Sequence, residues 1–187
     1  MMKSITRHTS MPNRMFKKIS LLMLLVAISA CATGPPIDTV DSVNIERFMG
    51  DWYVIANIPH AIEKEAYNAI ESYRLAEDGT IETTFTFNKG GFDGPLKTYK
   101  PRGFIQDKDS NAVWGMQFFW PIKAEYRIIY LTEDYTQTVI GRTKRDYVWI
   151  MARKPFIPDD DYNRILDFIK AQGYDLSKLQ KVPQQVK

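Results

Sequence analysis

The chain has 187 residues, with 25 Lys and Arg against 22 Asp and Glu, a formal charge of +3, one cysteine and two histidines. Five of the basic residues, Lys3, Arg7, Arg14, Lys17 and Lys18, stand in the first 30 positions, which hold no acid, so the remainder carries 20 basic and 22 acidic residues and a formal charge of −2. That near-balance speaks against a nucleic-acid surface, and a lone cysteine excludes a disulfide framework.

The first element in chain order is a leader. The stretch MFKKISLLMLLVAISAC sets Lys17 and Lys18 before an apolar run from Ile19 to Ile28 and small residues before Cys31, the three-part pattern of a secretory signal. Its apolar part is about ten residues, half of what a membrane-spanning helix needs. Ile28-Ser29-Ala30-Cys31 resembles the lipobox of bacterial lipoproteins. That resemblance implies a signal peptide over 1–30, cleavage before Cys31 and acylation of Cys31 with chains such as palmitate. Lipidation would also use up a thiol that an exported protein could not otherwise pair. Several acyl chains, at roughly 0.8 kcal/mol per buried methylene, anchor far better than one. Ala32, in place of an aspartate, implies by the same resemblance to enteric lipoproteins a bacterial outer-membrane address. Met1, Met11 and Met15 all remain candidate starts. Residues 31–43, containing ATGPPIDTVDSV, read as a lipidated tether, and 44–187 as one domain.

Within that domain, eight strands are predicted: Trp52 to Ile58, Tyr67 to Leu75, Ile81 to Phe87, Tyr99 to Gln106, Ala112 to Phe118, Glu125 to Leu131, Thr136 to Arg142 and Tyr147 to Arg153. Between them EDGT, NKGGFDGP, DKDSN, FFWPIKA, TEDY and TKRD supply the residues that tight connections need. Regular short strands with short turns predict an all-β sandwich or up-and-down barrel. Alternation then assigns faces. Trp114, Met116 and Phe118 share one; Tyr126, Ile128 and Tyr130 another; Tyr147, Trp149 and Met151 a third, continued by Arg153. Ile81, Thr83, Phe85 and Phe87 mix bulk with a hydroxyl. One α-helix is predicted, at about 159–171. Pro158 and three aspartates open it, Tyr162, Ile165, Leu166 and Ile169 form its apolar stripe, and Gly173 ends it. It is expected to pack outside the sheet on Val148 and Ile150.

Eight antiparallel strands, a C-terminal helix and the opening Gly50-Asp51-Trp52-Tyr53 resemble the lipocalin family; with the lipobox, the chain is similar to the bacterial outer-membrane lipoprotein lipocalins. Three segments carry the resemblance, from about residue 45 onward: Gly50-x-Trp52, LTEDYTQTVIG, which departs from the usual Thr-Asp-Tyr, and DYVWIMARKP with Arg153 at the basic position. The implied fold is an eight-stranded antiparallel up-and-down β-barrel with one C-terminal α-helix packed outside. In such a barrel the first and last strands are neighbours, which sets the Arg153 guanidinium over the Trp52 indole, a contact worth about 1–2 kcal/mol. Gly50 lets the preceding segment cross beneath the barrel. All three have structural roles.

Catalytic groups are sparse: past the leader His60 is the sole histidine, and no metal set or cofactor motif assembles; a hydrolase or isomerase with His60 as base to a Ser or Asp nucleophile is the remaining enzymatic alternative, and the chain is read as a binding protein rather than an enzyme. His60 and the charges after it read as a rim loop. The expected ligand-binding positions are Glu71, Tyr73, Phe85, Phe87, Trp114, Met116, Phe118, Tyr126, Ile128, Tyr130, Thr138, Ile140, Tyr147 and Trp149, with Val54, Ala56, Ile58 and Ala69 completing the wall. A buried Glu71 requires a partner such as Arg142 or a ligand headgroup. Phe118, Phe119, Trp120 and Pro121 would form either a folded turn or an aromatic lip towards lipid.

The implied function is storage or transport of a fatty acid, lysophospholipid or similar hydrophobic ligand in the cell envelope by a periplasm-facing, lipid-anchored protein. The headgroup is expected near the mouth formed by the loops after the first, third, fifth and seventh strands. An envelope structural or interaction lipoprotein with a barrel filled by its own aromatics is the alternative. Partners are thus a lipid and, through Cys31, the membrane; whether the chain also forms a homodimer stays open.

Overall fold

A computed structural model describes residues 36–185; the expected leader, Cys31 and the first tether residues lie outside them. A short helix α1 (Ile45–Phe48) precedes β1 (Gly50–Ile58), β2 (Ala66–Leu75), β3 (Ile81–Lys89), β4 (Leu96–Tyr99), β5 (Arg102–Ile105), β6 (Val113–Phe119), β7 (Ile122–Leu131), β8 (Gln137–Gly141) and β9 (Val148–Ala152). Helix α2 (Asp159–Ala171) and a two-residue strand β10 (Gln180–Lys181) on β1 complete the chain.

Every strand pair is antiparallel, and β1 pairs both β2 and β9, which closes the sheet into a barrel. The fourth predicted strand is two pieces, because β4 and β5 both lie on β3, Tyr99 opposite Phe85 and Gly103 opposite Ile81. Pro101 sits at the break and has no N–H for the ladder, although its carbonyl still accepts from the Thr83 amide at 3.3 Å. Counting β4 and β5 as one, the barrel has the expected eight strands.

Alternation sorts the apolar residues into two cores. One fills the barrel around Phe48, Trp52, Tyr73, Trp114, Ile128 and Met151. The other lies outside, where Val139, Val148 and Ile150 meet Ile165 and Ile169 of α2, the packing expected from the helix stripe. Two bulges overturn part of the predicted parity, since one extra residue in a strand sends everything beyond it to the opposite face. A shift between Val54 and Ala56 turns Ala56 and Ile58 outward into the helix-side core and Asn57 inward. A second, between Ile128 and Tyr130, places Ile129 and Tyr130 outside, with the Tyr130 ring 5.4 Å from Phe168 of α2. Tyr130 is therefore not an interior residue.

The end that receives α1 is shut. Phe48 is fully buried beneath the barrel, its ring 5.1 Å from Trp52, and its carbonyl accepts the indole N–H at 2.9 Å. The Arg153 guanidinium lies 3.8 Å from the Trp52 ring and donates to the carbonyls of Arg47, Phe48, Met49 and Asp51 at 2.8–3.1 Å. Gly50 has φ +92°, a backbone shape that calls for glycine, and it leaves the Arg153 Nη1 3.4 Å from where a Cβ would stand. The three turns at this end are tied by aspartates: Asp78 accepts from the Thr80 amide, Asp107 from the Asp109 amide and Asp134 from the Thr136 amide, at 3.0–3.1 Å.

Candidate ligand-binding cavity

The half of the barrel away from α1 is open. It contains a cavity of about 270 Å³, lined by residues from the β1–β2 loop (His60, Ile62, Glu63), β2 (Glu71), the β4–β5 break (Tyr99, Pro101), β6 and β7 (Met116, Phe118, Phe119, Ala124, Glu125, Tyr126) and the β8–β9 connection with β9 (Arg142, Tyr147, Trp149). At roughly 30 Å³ per water this is space for on the order of nine waters, more than a barrel filled by its own side chains leaves. The loops after the first, fifth and seventh barrel strands border it as expected; the β3–β4 loop does not.

Of the fourteen expected ligand positions, Glu71, Met116, Phe118, Tyr126, Tyr147 and Trp149 line this cavity. Tyr73 lies just below, its hydroxyl bonded to the Glu71 carboxyl and 2.8 Å from that of Tyr126. Trp114 is one layer deeper, stacked on Tyr126 at 5.0 Å, with its indole N–H given to the Asn111 carbonyl. Phe85 and Phe87 belong to the packed core beside Tyr99, the Phe87 ring stacked on it at 6.1 Å. Ile128 and Ile140 fill the closed half, and buried Thr138 donates to the Tyr130 carbonyl at 2.8 Å. Volume explains the division: four large rings, Phe48, Trp52, Tyr73 and Trp114, meet in the closed half at centroid spacings of 5.1–5.8 Å and leave no lumen there.

Register gives the depth. Glu71 faces Trp52 on one side and Phe85 on the other, well below the rim, so it forms the floor together with Tyr126 and Met116. Its only hydrogen-bond partner among the described residues is Tyr73. The expected pairing with Arg142 does not occur. Arg142 sits at the mouth with Asp146 at 3.4 Å and the Tyr147 ring at 5.2 Å, and its buried Nε lacks a partner. Burial pushes the Glu71 carboxyl up to about 7, against the opposing bond from Tyr73.

A second buried acid was not legible in the sequence. Glu63 follows His60 in what reads as a solvated charge run, yet it turns inward, where its carboxylate accepts from Asn57 Nδ2 at 2.8 Å and Trp149 Nε1 at 3.0 Å. Burial, and then the nearby charge of Glu71, raise it to about 7. The bulge that turns Asn57 inward supplies one of its donors, and alternation alone cannot place a bulge. Glu125 behaves differently: burial works against its charge, but Thr143 and Arg127 outweigh it and hold the carboxyl below the usual range. His60 is exposed at the rim, its ring 5.0 Å from that of Tyr147. Among the described residues no three His, Cys, Asp or Glu are grouped to hold a metal ion, and no helix is long and apolar enough to cross a membrane.

A family model described as a lipocalin-like domain matches residues 43–184. The chain belongs to the lipocalin-like family. It is 31% identical over 159 residues to temperature-induced lipocalin-1 of Arabidopsis thaliana, covering 79% of this chain and 82% of that one. It is 28% identical over 163 residues to the outer membrane lipoprotein Blc of Citrobacter freundii, covering 86% and 90%. The resemblance to bacterial Blc-type lipocalins, read from three short motifs, thus extends over most of the chain. Insecticyanin from the tobacco hornworm Manduca sexta superposes with a TM-score of 0.64 over 81% of this chain and 86% of that one, at 14% identity, a likeness of fold. In this lipocalin the motif residues Gly50, Trp52 and Arg153 all sit at the closed end, remote from the cavity that the loops surround.

Proposed function

We propose that this lipocalin is a lipid-anchored envelope protein of the bacterial outer membrane, facing the periplasm, that binds and stores or transports a fatty acid, lysophospholipid or similar amphiphile. The cavity carries this reading. It is walled mainly by Met116, Phe118, Tyr126, Tyr147 and Trp149 and opens between loops, the combination of apolar surface and a few directed polar groups that suits a small hydrophobic ligand. Its volume weighs against a barrel that serves only as a packed structural module.

The β6–β7 hairpin supports the same reading. Phe119, Trp120 and Ile122 are 79%, 86% and 71% exposed, and Phe118 and Phe119 also border the mouth. Four large apolar side chains left in water beside a cavity opening are suited to rest in a lipid interface. Cleavage of a signal peptide over 1–30 would leave an acylated Cys31 to tether the domain to the bilayer. Cys31→Ser should then abolish incorporation of labelled palmitate and release the protein from the membrane fraction.

The direct test is mass spectrometry of lipid co-purifying with the mature protein, together with titration of a fluorescent acyl probe. Saturable binding that weakens about tenfold in Tyr126→Ala and Trp149→Ala is the expected result. Absence of saturable binding, or binding indifferent to both substitutions, would refute the proposal.

A further inference from the structure

The hydrogen bonds around the cavity run in one direction. Tyr73 spends its proton on Glu71, so in the 2.8 Å contact between the two hydroxyls Tyr126 is the donor, and the chain runs from Tyr126 to Tyr73 to Glu71. Asn57 and Trp149 both donate to the same oxygen of Glu63. Three donors are consumed on the two carboxyls, and a fourth, the Tyr126 hydroxyl, on Tyr73. The inner cavity is left with acceptor oxygens, and the second carboxyl oxygen of Glu71 has no partner among the described residues.

Other charged and titratable groups do not reverse this. Arg142, at the mouth, already faces Asp146 at 3.4 Å. Glu125 is held by Thr143 and by Arg127 at 3.3 Å. The His60 and Tyr147 rings meet at a tilt at the rim, and Tyr99 stacks on Phe87 in the wall. No cation sits beside either buried carboxyl among the ion pairs of the described residues.

We infer that the deep end of the cavity is a subsite for a hydrogen-bond donor, so that the ligand is an amphiphile whose buried end is a protonated amine or a hydroxyl, received by Glu71 and Glu63. The alkyl chain then runs outward past Met116 to Phe118 and Phe119 on the exposed lip, polar end innermost. This orientation reverses the expectation of a headgroup at the mouth. An ammonium would exchange its lost hydration for an ionic hydrogen bond to Glu71, with the rings of Tyr126 and Trp149 close by. A carboxylate would meet acceptors and like charge.

The inference rests on the proposed binding of an amphiphile, and its test separates the two. Dodecylamine, dodecanol and dodecanoate are each used to displace a neutral fluorescent acyl probe from the chain beginning at residue 32, which retains every element of the closed barrel. The titrations are run at pH 8.5, where both carboxyls are ionised, and again at pH 6. At pH 8.5 dodecylamine is expected to bind at least tenfold more tightly than dodecanoate, with dodecanol between them, and the gap should shrink at pH 6. Glu71→Gln and Glu63→Gln, which keep shape and remove charge, should abolish the amine preference while dodecanol still binds; circular dichroism confirms that each variant is folded. Equal affinity for all three probes, tighter binding of dodecanoate at pH 8.5, or an amine preference that survives both substitutions would overturn the donor subsite and leave the amphiphile cavity standing. Failure of every probe to bind would overturn both.

Discussion

The two ends of this barrel are built on opposite principles. At the closed end most polar groups are matched: Arg153 gives its N–H groups to five carbonyls, three aspartates tie three turns, and Phe48 and Trp52 fill the space between, while the buried Thr83 hydroxyl lacks a partner. At the open end two carboxyls are buried without a cation, Arg142 keeps an unpartnered Nε, and large apolar side chains face solvent. The first arrangement maximises stability. The second gives up stability for a surface suited to a hydrophobic ligand, as stability traded for function would have it.

Substitutions on the two sides of this divide should separate stability from binding. The largest effect belongs to Trp52→Ala, which removes the ring under Arg153 and opens a void in the closed core. It should cost about 3–5 kcal/mol by urea unfolding, with probe affinity unchanged in whatever fraction remains folded. A comparable loss of affinity in the folded fraction would erase the distinction between the ends.

Next in size is the effect of pH on the empty protein. Glu63 and Glu71 keep their protons up to about pH 7 when folded, whereas the ordinary value is 4.5. The folded state therefore binds more protons between these limits, so stability should fall as pH rises from about 4.5 to about 7 and level off above. One group contributes up to about 3 kcal/mol. Unfolding midpoints across pH 5 to 8 check the slope, and Glu71→Gln should flatten it.

Replacing the floor acid by an apolar group sharpens the contrast. Glu71→Leu should stabilise the empty barrel at pH 8 by about 1–2 kcal/mol, because it removes an unpaired buried charge, while it weakens binding of dodecylamine. Stabilisation without any change in binding would show that the acid plays no part in the site.

The smallest expected stability change is at the lip. Trp120→Ser, at a side chain 86% exposed, should alter stability by no more than about 0.5 kcal/mol. It should nevertheless reduce association of the unlipidated chain with phospholipid vesicles, measured by flotation. Unchanged flotation would leave the exposed rings without a lipid role.

How far the sequence could be read differs between the same two halves. Trp52, Arg153 and Gly50 were legible as a structural set because a short ordered pattern and strand adjacency in a closed barrel bring them together. The helix on Val148 and Ile150 was legible because both faces of the last strand are apolar. Interior assignments failed at Ala56, Ile58 and Tyr130, each lying beyond or at a bulge that reverses parity. Glu63 was hidden for a related reason: a loop has no period, so nothing local tells an inward glutamate from a solvated one.

What the sequence determined on its own is the run of short strands and the helix outside, which follow from periodicity and turn chemistry; the closed barrel and the plug at one end came with the resemblance to the lipocalins, because local patterning does not separate a sandwich from a barrel. Where the lumen lies was decided only by tertiary structure. Eighteen expected wall positions could have been lining or filling; four rings meeting beneath the barrel filled one half and left about 270 Å³ in the other. The polarity of that space was likewise a matter of three dimensions, because whether Glu63 and Glu71 face donors, cations or a void depends on side chains that converge from distant parts of the chain.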